Sequence, residues 1–102
     1  MAKALGLLEV YGFSTALYAI DAACKATDVT VEALDKNRPA TSDPLPAPLL
    51  IMIKFRGSVG DVTTALEVGK EVANTLTGCT NTKIITGPDE GLDKFIQISC
   101  IK

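Results

Sequence analysis

The chain has 102 residues, a formal charge of −2 and no histidine. Its ten lysines and arginines are scattered among twelve acidic residues, so no basic cluster offers itself to a phosphate backbone and nucleic acid is not an expected partner. Without histidine the commonest general base and the commonest zinc ligand are both missing, which argues against catalysis and against a metal site.

No stretch approaches the ~18 apolar residues of a membrane span, so no membrane partner is expected. The length and the even composition suit a single domain over residues 1–102. Hydrophobic residues make up 47% of the chain and aromatic ones only 5%, so the apolar mass is mostly Ala, Leu, Ile and Val. A small domain this apolar is expected to hide surface against copies of itself.

Met1-Ala2-Lys3 leads into a short apolar run broken by Glu9 and followed by no small-residue cleavage site. That start reads as a strand rather than a signal peptide, which makes the cytosol the expected compartment. The strand, Ala4 to Tyr11, closes at Gly12. A helix is predicted from Ser14 to about Thr27, with Phe13, Leu17, Ile20 and Cys24 on one stripe and alanines filling much of the rest. Asp28 ends it, and Val29 to Leu34 alternate as a second strand.

Residues Asp35 to Pro48 hold four of the five prolines, which excludes a helix or an interior strand there. A long irregular segment in a compact domain is expected to be functional. Leu49 to Arg56 reads as a third, central strand. Ser58 and Asp61 then form a capping-box pattern at the start of a second helix. Val62, Leu66, Gly69, Ala73 and Leu76 give that helix a buried stripe running to about Thr77. Thr82 to Thr86 reads as a fourth strand and Asp89 to Phe95 as a short helix, with an alternating tail from Ile96. Cys24, Cys79 and Cys100 show no CxxC spacing and read as small hydrophobes or inert surface thiols.

The order βαββαβ predicts an α+β, ferredoxin-like split βαβ fold. It has an antiparallel sheet with helices on one face and a short C-terminal helix; the other face is expected to be free for partners.

Three segments in this order carry a family resemblance: Ala4-Leu5-Gly6-Leu7-Leu8-Glu9-Val10-Tyr11-Gly12-Phe13, Asp21-Ala22-Ala23-Cys24-Lys25-Ala26-Thr27-Asp28-Val29, and Phe55-Arg56-Gly57-Ser58-Val59-Gly60-Asp61-Val62. Together they resemble the hexamer-forming BMC-domain shell proteins of bacterial microcompartments. The resemblance implies a structural, non-enzymatic tile of a microcompartment shell, without cofactor or metal. It implies a homo-hexamer with a pore for small metabolites, and other shell proteins and encapsulated enzymes as partners.

Lys25 aligns with the family's edge lysine, and with Asp28 and Arg56 it is expected at the hexamer–hexamer seam. The loop from Lys36 to Pro48 stands where the family has a short pore turn, but is longer and proline-rich. Lys36, Asn37, Arg38, Thr41, Ser42 and Asp43 are its expected pore residues, and rings of Lys36, Arg38 and Asp43 would select by charge. A second departure is Gly87, which stands where the family commonly has a seam arginine, with Asp89 in place of its histidine. The alternative reading is a PII-like trimeric small-molecule-binding signalling protein, which shares the element order but would need a phosphate site that is not evident here.

Overall fold

The computed structural model describes residues 3–37 and 49–97. Four strands, β1 (Ala4–Tyr11), β2 (Thr30–Asn37), β3 (Leu50–Gly57) and β4 (Cys79–Ile85), form one sheet in the order β2-β3-β1-β4, with every neighbouring pair antiparallel. Helix α1 (Phe13–Ala26) links β1 to β2, and α2 (Val59–Asn74) links β3 to β4. A 3-10 turn at Glu90–Leu92 leads into the short helix α3 (Asp93–Gln97). The architecture is the expected split βαβ, with β3 inside the sheet as its continuous apolar character required.

Alternation along the strands sorts residues onto two faces. A Cβ on Gly6 would lie 2.5 Å from Val62 Cγ1 and 3.4 Å from Leu66 Cδ1, which puts Gly6 and its register partner Phe55 on the helix face. Leu8, Val10, Ile51, Ile53 and Phe55 are fully buried there, beneath Ala16, Ala19, Ala23, Val62, Ala65 and Ala73. Leu5, Leu7, Glu9, Met52, Lys54 and Arg56 fall on the opposite face by the same register.

The turns are built as the local chemistry requires. Gly12 has φ 87° at the start of α1 and Gly78 has φ 114° before β4, a region that a side chain disfavours. Ser58 caps α2: its hydroxyl accepts from Asp61 N at 3.1 Å and donates to the Asp61 carboxylate at 3.0 Å, so the N-cap half of the expected capping box forms, while the Asp61 carboxylate bonds the Ser58 hydroxyl instead of its backbone N–H.

Several boundaries differ from the sequence reading. The second strand runs on through Asp35, Lys36 and Asn37, helped by a bulge between Val31 and Ala33. The fourth strand begins at Cys79, because its backbone pairs with the bulged end of β1 even though Thr80 and Asn81 are polar. α2 stops at Asn74, and Leu76 beyond it is 51% exposed.

The largest correction concerns α1. Its buried residues are Thr15, Ala16, Ala19 and Ala23, while Phe13, Leu17 and Cys24 of the expected stripe are exposed and Ile20 is half-buried. The small residues win the inner position because α1 lies tightly against α2: a Cβ on Gly69 would stand 3.8 Å from Ala19 Cβ. The face opposite the long helices is also not wholly free, since α3 covers part of it.

Candidate functional site

On the outer side of α1 the apolar residues are the large ones. Phe13 is 42% exposed, Leu17 48% and Tyr18 64%. Ser14, Leu17, Tyr18 and Asp21 line a shallow hollow there of about 330 Å³. A helix whose alanines face in and whose aromatics face out is reversed relative to a helix packing only within its own domain. Contiguous exposed apolar surface of this kind marks an interaction site.

The three residues expected at a seam lie around one corner of the fold. Lys25 is in the last turn of α1, its side chain 76% exposed, with Nζ 2.9 Å from the Asp21 carboxylate one turn earlier. The hydrogen bond and charge of Asp21 raise its pKa, so the ammonium persists to higher pH. Asp28 is exposed in the connection to β2, and its carbonyl lies 3.2 Å from where a Gly57 Cβ would stand. Arg56, the register partner of Thr30, donates from Nη2 to the Lys3 carbonyl at 3.3 Å. Its Nε is buried and, among the described residues, has no hydrogen-bond partner.

Lys36 and Asn37 are the last residues of β2 rather than loop residues, and the exposed Lys36 takes a backbone bond from its N–H to Asp35 Oδ1 at 3.0 Å. Arg38, Thr41, Ser42 and Asp43 lie outside the described residues. The corner of Lys25, Asp28 and Arg56 and the Lys36–Asn37 pair therefore lie at opposite ends of the eight-residue strand β2, roughly 23 Å apart.

Among the described residues no group of three or more Cys, Asp and Glu could hold a metal ion, and no helix is long and apolar enough to cross a membrane. The Cys24 thiol is pushed up by burial and then by Asp21, and the Cys79 thiol chiefly by burial. Neither has the lowered pKa of a nucleophilic cysteine. Cys100 lies outside the described residues.

Sequence reasoning missed two features: the outward aromatics of α1, and Lys54. The latter is wholly buried in a central strand between Ile53 and Phe55. A charged residue inside an apolar strand is the signal that marks it.

The family model of the BMC domain matches residues 4–88, all four strands and both long helices. The chain is 30% identical over 92 residues to the bacterial microcompartment shell protein PduK of Citrobacter freundii, covering 90% of this chain and 54% of that one. It is 31% identical over 90 residues to PduK of Salmonella typhimurium, covering 88% and 51%. The chain thus spans about half the length of these two curated relatives. The carboxysome shell protein CcmK2 of Synechocystis is 29% identical over 100 residues, 96% of this chain and 88% of that one. A crystal structure of a microcompartment protein from Desulfitobacterium hafniense shares the fold, with TM-score 0.72 over 100% of this chain and 51% of that chain at 19% identity. By the match over residues 4–88, on a sheet and helix pair of the same fold, the chain belongs to the BMC-domain family.

Proposed function

We propose that the chain is a structural tile of a bacterial microcompartment shell in the cytoplasm, without catalytic activity of its own. In this reading it assembles as a homo-hexamer around a pore for small metabolites and meets other shell proteins at its edges. The observation that carries the reading is the reversed helix α1, whose Phe13, Leu17 and Tyr18 face outward while alanines fill the core side. An apolar stripe of this size needs a partner, and repeated copies around a closed ring supply one to every subunit.

Lys25, Asp28 and Arg56 are then the seam residues. Lys25 can exchange its exposed Asp21 partner for carbonyls across an edge at little cost, since a surface ion pair contributes about 0.3–0.5 kcal/mol. The pore role falls to Lys36 and Asn37 at the end of β2, with Arg38, Thr41, Ser42 and Asp43 beyond them.

The test is the solution mass by light scattering, with negative-stain images of the same peak. The wild-type chain is expected at six chains, as flat discs. Leu17→Glu, which sets a charge at a 48% exposed position of the stripe, is expected to lower the mass while circular dichroism stays unchanged. A wild-type trimer or monomer would remove the hexameric tile.

A further inference from the structure

Lys54 is the one charged side chain among the fully buried residues of the described structure. Its register partners are Leu7 on β1 and Ala33 on β2, so it points away from α1 and α2, onto the face those helices leave open. There its Nζ donates to the Phe95 carbonyl at 2.7 Å and lies 4.2 Å from the centre of the Phe95 ring. Both groups belong to α3. The carbonyl is among the last of that helix, which have no intrahelical donor, so the ammonium acts as its C-terminal cap. The ring adds a cation–π contact that gains strength away from water.

A five-residue helix has no stability of its own, because nucleation outweighs the few bonds it closes. What holds α3 in place is therefore its docking, through buried Ile96 on the apolar side and the Lys54 ammonium on the polar side. The cover it gives is partial. Ala33 and Lys54 are buried on this face, whereas Leu7, Glu9 and Met52 are only half-buried. Leu7, Glu9, Met52, Asn81 and Lys83 line a hollow in the open part of the sheet, next to Lys54 in register.

We propose that Lys54 is a latch that fixes α3 as a strap over the β2–β3 part of this face, and so sets how much of the face is open to a neighbouring surface. Closed, the strap supplies the ammonium with a carbonyl and a ring in place of water. Open, it returns α3 to solvent and joins the Ala33–Lys54 area to the hollow beside it. Losing the Phe95 carbonyl and ring raises the cost of keeping the ammonium buried, which couples the latch to the strap. The inference does not depend on the shell reading, because it concerns contacts within one chain.

Limited trypsin digestion of the full chain tests it, read as the rate of cleavage after Lys94. That bond is cut only when α3 leaves the sheet and unfolds locally. Lys54→Met keeps the apolar stem and removes the ammonium. Cleavage after Lys94 is expected to rise about tenfold or more, while cleavage after Lys25 and Lys70 in the long helices stays at the wild-type rate. An unchanged rate after Lys94, or an equal rise at all three positions, would overturn the latch. If Lys54→Met does not fold, Phe95→Ala with Ile96→Ala releases the strap from its own side. Lys54, expected to acetylate slowly with acetic anhydride in the wild-type chain because it is buried, should then label at the rate of an exposed lysine. Labelling as slow as in the wild type would equally sink the proposal.

Discussion

Thr77 joins two segments far apart in the chain. Its hydroxyl donates to the Tyr11 carbonyl at 2.5 Å, so the 2.6 Å contact with Thr15 must have Thr15 as the donor. Thr15 is only 3% exposed and sits on the core side of α1. This relay ties the end of β1, the first turn of α1 and the turn after α2 into one polar knot. Thr77→Val leaves the buried Thr15 hydroxyl and the Tyr11 carbonyl short of a partner and is expected to cost about 1–3 kcal/mol in urea unfolding. Thr15→Val removes a donor whose acceptor keeps its own proton bond, and should cost about 1 kcal/mol or less. Equal losses for the two would contradict the direction of the relay.

At the scale of elements, the contact between the helices and the sheet depends on two glycines that differ in what faces them. A Cβ at Gly6 would stand 2.5 Å from Val62 Cγ1, on a stiff β-branched side chain that is fully buried. At Gly69 the nearest atom, at 2.7 Å, is Leu8 Cδ2, the far end of a more flexible side chain. Gly69→Ala also gains about 1 kcal/mol of helix propensity. Gly6→Ala is therefore expected to destabilise by about 1–3 kcal/mol and Gly69→Ala by clearly less, as measured by chemical denaturation. The reverse order would show that the sheet yields more easily than the leucine.

The same close packing explains what was legible in the sequence. β1, the Ser58 N-cap and the interior position of β3 could be read directly, because each has a local cause in alternation, side-chain hydrogen bonding or continuous apolarity. The phase of α1 could not. Helical periodicity is dominated by the largest apolar residues, here Phe13 and Leu17, but the inner position is decided by how near α2 comes. That distance is a tertiary fact, recorded in the sequence only as Ala19 and Gly69. That Lys25, Asp28 and Arg56 lie near one end of the sheet follows from their places at the ends of α1, β2 and β3, whereas the contact of α3 with the other face was not legible. Lys54 and Phe95 are 41 positions apart, and no local pattern links them.

For the molecule as a whole, the placement of groups separates two kinds of contact. The outward stripe of α1 is apolar and suits a permanent interface. The Lys25, Asp28 and Arg56 corner is polar and exposed, and Lys25 already holds an exchangeable partner in Asp21. Lys25→Ala should therefore leave the mass of the soluble oligomer unchanged while extended sheets, scored in negative-stain images, are reduced or lost. A drop in oligomer mass would instead place Lys25 inside the ring. In the proposed shell, Gly87 stands where the family commonly has a second cation, which would leave more of the edge contact to the exposed Lys25.

The reversed helix also bears on how such a chain can diversify. Because α1 meets α2 through side chains of the smallest size, its inward surface has almost no room to change. Its outward side, at Phe13, Leu17 and Tyr18, is left exposed by the described residues. Substitutions at Phe13, Leu17 and Tyr18 can therefore alter which neighbour is accepted without disturbing the fold beneath. The division lets one scaffold acquire new associates through drift on a single helical side, with recognition and folding under separate selection.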